Sequence, residues 1–256
     1  YISTLFNFME VLHEQKSNVK LVILDRPNPL GRAVEGPMLD NEFKSFVGMV
    51  PVPIRYGLTS GELALYIKDK FRFNINLNVI AMDNYEISEY SGWPQEIPWN
   101  PPSSAIKDIE TAFLYSGLCL LEGTNLSEGR GTEYPFKLIG KPNLETKAVI
   151  DYFKNKDYPV HLESVKFIPA FSKFKGEECS GIKIELKSTL EFNGIQFTSH
   201  LLHIAKPVFS DFFDKLAGTD KLRITIQNIN IEKILPQLLH QETQEYKKER
   251  EKFFLY

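Results

Sequence analysis

Two patterns near the start of the chain constrain its fold most. In residues 1–16, Ile2, Leu5, Phe6, Met9 and Leu12 recur at steps of three and four, the period of a helix buried on one face. Val19 to Leu24 follows, apolar and partly β-branched, and ends at Asp25. Such a run reads as a buried strand of a parallel sheet. A helix feeding that strand is half of a βαβ unit and commits the chain to an α/β architecture. The strand expected before the helix is missing, and residue 1 is Tyr, so a longer native polypeptide is expected.

Composition narrows the functional classes. The 256 residues hold 30 Lys and Arg against 33 Asp and Glu, a formal net charge of −3. A nucleic-acid binder held by phosphate neutralisation would show a basic excess, so no nucleic-acid partner is expected. No apolar run approaches the roughly 18 residues of a membrane-spanning helix. Two cysteines make neither a disulfide framework nor a cysteine-only zinc set. No spacing of His, Cys or carboxylates matches a metal site, so neither metal nor cofactor is expected.

The loops carry the chemistry. Asp25–Pro37 holds three prolines and two glycines, which resist regular structure. It lies just past the carboxyl end of a strand, where open α/β sheets place ligands. Asp25, Arg26, Asn28 and Glu35 are its candidate binding groups, against the plainer reading of a stiff connector whose charges pair. Pro51 to Gly57 is a second constrained loop and carries Arg55. Thr59-Ser-Gly-Glu62 fits a capping box and gives Glu62 a structural role. A helix over about 60–70 and a strand over 77–82 are predicted. Asp83 to Ser104 is irregular and holds Trp93 and Trp99, as sugar-stacking platforms or as plugs onto the core.

Ile109 to Leu121 reads as a helix with a strand-like end, and Cys119 as a buried thiol. The next segment is the most unusual: Glu122-Gly-Thr-Asn-Leu-Ser-Glu-Gly-Arg-Gly-Thr132. Its glycines permit tight turns, and Glu122, Asn125, Glu128 and Arg130 could converge on a ligand. It is neither a phosphate loop nor a dinucleotide fingerprint. Beyond it, helices are predicted over 144–155, 196–205 and 211–217, and strands over 160–167 and 182–186. The run 222–226 is too short to decide between strand and helix. A long helix over 231–253 is expected, with Pro236 near its first turn or kinking it. Cys179 reads as a turn residue, and a bridge to Cys119 has no support.

Asp25-Arg-Pro-Asn-Pro-Leu-Gly31, Val34-Glu-Gly-Pro37, Ser45-Phe-Val-Gly48, Pro53-Ile-Arg55, Gly61-Glu-Leu-Ala64 and Leu121 to Thr132 with Pro135-Phe136 resemble one bacterial family. It is the NamZ/YbbC-like exo-β-N-acetylmuramidases, long known only as a domain of unknown function. The resemblance implies a glycoside hydrolase that releases N-acetylmuramic acid from non-reducing ends of peptidoglycan fragments. It implies a Rossmann-like half, incomplete here, and a smaller α/β half, with a cleft between them. The boundary is expected near Lys141-Pro142, dividing 1–141 from 142–256. The resemblance also implies export (periplasmic, lipoprotein or secreted) and a segment before Tyr1 with a catalytic glutamate in a Pro-Glu-His-Gly-like stretch. Tyr56 stands where the pattern has His, and Pro102-Ser-Ser-Ala105 where it has Pro-Ser-Pro-Asn.

Glycoside hydrolysis usually needs two carboxyl groups. Glu122 and Glu128 are the catalytic candidates within this sequence. Arg26, Arg55 and Arg130 are candidates for a sugar carboxylate, since guanidinium forks match it. Asn28 and Asn125 are candidates for the N-acetyl group or ring hydroxyls, with Asp25 and Glu35 beside them. The alternative is a non-catalytic sugar or wall-fragment binding protein on the same scaffold. Oligomeric state is left open.

Overall fold

The computed structural model describes residues 2–241 and 243–256; Tyr1 and Glu242, which fall in the first and last expected helices, lie outside them. α1 (Ile2–Glu14) leads into β1 (Lys20–Leu24), followed by α2 (Ser60–Lys70) and β2 (Asn76–Ile80). β1 and β2 pair in parallel, Lys20 opposite Asn76 through Leu24 opposite Ile80. Phe6, Met9 and Leu12 of α1 are buried, Phe6 packing edge-on against Phe71 with ring centres 4.8 Å apart. α2 starts where its capping box predicts. The Thr59 hydroxyl accepts from the Glu62 N–H, and the Glu62 carboxylate accepts from the Thr59 N–H.

The second unit adds α3 (Ile109–Leu118), β3 (Leu138–Lys141), α4 (Thr146–Lys154), β4 (Val160–Phe167), β5 (Cys179–Leu186), α5 (Gly194–Ala205), α6 (Asp211–Ala217), α7 (Lys221–Gln227), α8 (Ile231–Gln241) and α9 (Gln244–Arg250). Its sheet is antiparallel in the order β3-β5-β4. The fold is therefore α/β, with a parallel sheet and a separate antiparallel one. One hydrophobic core gathers residues from Phe6 to Ile75 together with Tyr246. The other runs from Ala105 to Leu235 and takes in residues on both sides of the Lys141-Pro142 step.

Four local expectations change, and the undecided run 222–226 resolves. β1 is not buried on both faces: Leu24 is 72% exposed, because among the described residues helices cover only one face of this sheet. The strand-like end of 109–121 is a 3-10 turn over Cys119–Gly123. It buries Leu120 and Leu121 without needing a strand partner. Cys179 is no turn residue but the buried first residue of β5, opposite Phe167, and both cysteines are free. Leu222 to Ile226 lies within helix α7. The long final helix is two, α8 and α9. The break carries the chain from one core to the other, where the Tyr246 ring packs edge-on to Tyr66 and its hydroxyl donates to Tyr56 O at 2.8 Å. Pro236 sits inside α8, beyond its first turn.

Candidate functional site

A cavity of about 520 Å³ opens between the two cores. Its walls are the start of α1, the segments 46–50 and 52–54 with Tyr56, Tyr115, Cys119, Glu122 and the α6 face that ends at Gly218. Among the described residues that line it, only Glu122 and Lys215 are charged. Glu122 is carried by the 3-10 turn, whose geometry is locked from behind. The Gly123 carbonyl accepts from the Ser210 N–H at 2.9 Å and from its hydroxyl at 3.0 Å. A Cβ at position 123 would stand 2.4 Å from Phe213 Cα, so glycine is what lets α6 approach this closely.

The string 122–132 folds around an ion-pair chain. Arg130 Nη2 donates to Glu122 at 2.9 Å, and its Nε lies 3.3 Å from Glu128. Glu128 is buried and also meets Lys173 Nζ at 3.1 Å. That ammonium further donates to the carbonyls of Leu121 and Leu126, at 2.8 and 2.9 Å. Burial of Glu128 is thus compensated by two cations. Glu122, half-buried and held by Arg130, presents a carboxylate to the cavity. Such a group can accept a proton or stabilise positive charge developing on a sugar ring.

The other predicted site residues lie elsewhere. Asp25 is a hub at the start of α2. Its carboxylate accepts from the Arg26 and Gly61 N–H groups at 2.9 and 2.7 Å, and from the Thr59 and Tyr256 hydroxyls at 2.6 and 3.0 Å. Asn28 donates to the carbonyls of Gly31 and Leu58 and so shapes its own loop. The Arg26 side chain is exposed and does not line the cavity. Glu35 and Arg55 form a buried ion pair across a short β-bridge. Burial pushes the Glu35 carboxyl up, against the pull of Arg55 and of the Gly194 N–H. Asn125 Oδ1 accepts from the Val208 N–H at 2.9 Å. Of the nine predicted residues, Glu122 alone lines this cavity, with Arg130 and Glu128 directly behind it.

Trp99 plugs its loop onto the second core, and Trp93 packs against Trp99. Their rings meet edge-on at 4.9 Å, and their N–H groups donate to the Ile97 and Ile106 carbonyls. Cys119, expected to be buried, is half-buried, and desolvation pushes its thiol up to about 12, so the protonated form is favoured at neutral pH. The Tyr56 phenol is likewise pushed up to about 12 and lines the cavity as a protonated donor. Sequence reasoning missed Lys173, Lys215, Phe212 and Tyr256. Lys173 lies 45 residues from Glu128, and no spacing signal links them. Among the described residues no group of three or more His, Cys, Asp or Glu is placed to hold a metal ion, and no helix is long and apolar enough to cross a membrane.

Fold and cavity together describe a two-unit α/β protein with an ion-paired glutamate in the cleft between units. Family models match both units: the N-terminal model of exo-beta-N-acetylmuramidase NamZ over residues 1–110 and the C-terminal model over 113–256. The chain belongs to the NamZ family. It is 32% identical to the peptidoglycan beta-N-acetylmuramidase NamZ of Bacillus subtilis strain 168, a match that covers all of this chain and 64% of that protein. Two crystal structures of DUF1343 family proteins from Bacteroides fragilis share the fold. One superposes with a TM-score of 0.85 at 23% identity, the other with 0.77 at 29%; each match covers 100% of this chain and 71% of the other.

Proposed function

We propose that this protein is a glycoside hydrolase of bacterial cell-wall turnover that releases N-acetylmuramic acid from the non-reducing ends of peptidoglycan fragments. The observation that carries this reading is the Arg130-held Glu122 facing the inter-unit cavity in a chain matched along its length by muramidase family models. Glu122 acts there as the carboxylate that accepts a proton from water or stabilises an oxocarbenium-like transition state. Arg130 fixes its orientation. The Tyr56 hydroxyl, where the family pattern has His, donates a hydrogen bond toward the sugar. The carboxylic acid partner that such chemistry requires is assigned by the resemblance to the glutamate of a Pro-Glu-His-Gly-like stretch.

One observation favours the rival reading of a sugar-binding protein: among the described residues, Glu122 is the only carboxylate lining the cavity. Incubating the full-length protein with a muramoyl-containing disaccharide and following free N-acetylmuramic acid separates the two. Release supports the hydrolase; saturable binding without release supports the binding protein.

A further inference from the structure

The cavity contains a cation that the ion-pair chain does not use. Lys215 lies on α6, and Phe212, Lys215 and Leu216 fall at i, i+3 and i+4, which places them on one helix face. All three line the cavity, whereas Phe213 between them is buried in the second core. Lys215 is exposed and makes no ion pair among the described residues; Asp211, one turn earlier, does not reach it, and Asp214 is taken by Arg223 at 2.8 Å. The three arginines expected to hold a sugar carboxylate are unsuited to it. Arg55 is buried against Glu35, Arg130 is engaged by Glu122 and Glu128, and Arg26 lies outside the cavity.

The walls beside Lys215 present bare aromatic surface. Phe212 is 39% exposed, and Phe46, at the tip of the Ser45–Gly48 bridge, is 67% exposed. Large exposed apolar side chains that gather on a concave surface mark a binding site. The C–H face of a pyranose is apolar and matches such a ring, while a free ammonium at its edge matches an anionic substituent.

We propose that Phe212 and Lys215 form an anionic-sugar subsite, in which the Phe212 ring packs against a pyranose face and the Lys215 ammonium pairs with a carboxylate carried on an ether arm of that sugar. The subsite rests on the function proposed above and deepens it. The lactyl carboxylate of N-acetylmuramic acid is the group that distinguishes it from N-acetylglucosamine, so Lys215 is the specificity determinant and Phe212 the shared platform.

Calorimetric titration of the full-length protein with N-acetylmuramic acid and with N-acetylglucosamine tests this directly. The wild type is expected to bind the muramic sugar at least about tenfold more tightly, the scale of one charge-assisted contact. Lys215→Met removes that preference and leaves the N-acetylglucosamine affinity unchanged, whereas Lys215→Arg retains it. Phe212→Ala weakens both sugars alike. A Lys215→Met protein that still prefers the muramic sugar overturns the proposal, as does a wild type that binds the two equally or binds neither. Preference lost in Lys215→Met while the wild type releases no sugar from a disaccharide would sink the hydrolase reading and keep the subsite.

Discussion

Within the string 122–132, neighbouring polar residues have opposite fates. Glu122 faces the cavity, Glu128 is buried between Arg130 and Lys173, and Asn125 holds the Val208 N–H. Sequence density marks this segment as unusual but does not reveal which side chains point out, because that depends on partners such as Lys173 and Val208 that are remote in sequence. His200 is another residue whose state is set by remote partners. It is buried, its Nδ1 lies 2.6 Å from the Tyr158 hydroxyl, and its Nε2 lies 3.8 Å from Glu232. Burial pulls its pKa below the ordinary value of 6.5, with Lys156 and His203 adding to that effect and Glu232 opposing it. The unfolded chain therefore binds a proton at a higher pH than the folded one. The stability this group contributes is present above pH 6.5 and falls away as the pH drops through the folded-state value. Urea titrations between pH 7.5 and 5 are expected to show wild type losing stability relative to His200→Gln as the solution is acidified. Parallel curves would refute this assignment.

At the scale of elements, what local chemistry dictates was legible. The periodicity of α1 and the Thr59–Glu62 capping box both appear where spacing predicts them. Elements stabilised by tertiary contact were not. β3 is four residues long, includes Gly140, and exists because β5 pairs with it. The 3-10 turn Cys119–Gly123 reads as a strand by composition, and only its packing against α6 selects the turn. That packing yields a prediction. Gly123→Ala places a methyl carbon 2.4 Å from Phe213 Cα, backbone that cannot swing aside as a side-chain tip would. The variant is expected to lose about 1–3 kcal/mol of stability by overpacking. It should also weaken sugar binding, because α6 carries Phe212 and Lys215. Unchanged midpoint and affinity would show that α6 is not held by this contact.

At the scale of the whole molecule, the two cores are joined by a buried polar strap. Glu35 accepts from the Gly194 N–H at 2.8 Å at the start of α5. Arg55 bonds to Glu35 and to the Leu30 carbonyl, reaches the Phe192 carbonyl at 3.5 Å, and lies over the Phe113 ring. α9 adds a second tie where Arg250 donates to the Tyr56 and Gly57 carbonyls, both at 3.0 Å. The order of patterns along the chain commits it to an α/β fold, and the division into two halves entered through the family resemblance. The strap was not legible, because Glu35 and Arg55 meet partners more than a hundred residues away. Glu35→Gln leaves Arg55 buried without its counter-charge and is expected to cost about 3–5 kcal/mol in denaturant unfolding. A Glu35→Gln, Arg55→Met double variant should lose less than the sum of the single losses; strict additivity would mean that the two residues do not act as a pair.

Glu122, in the cleft between these two units, is the carboxylate proposed to serve glycoside hydrolysis. The most direct measurement is the rate of N-acetylmuramic acid release by full-length wild type and Glu122→Gln, with circular dichroism of both to check folding. The variant is expected to fold correctly and to lose about a hundredfold or more in kcat, the scale of a positioned acid–base group. A folded Glu122→Gln protein that releases the sugar at the wild-type rate would contradict it.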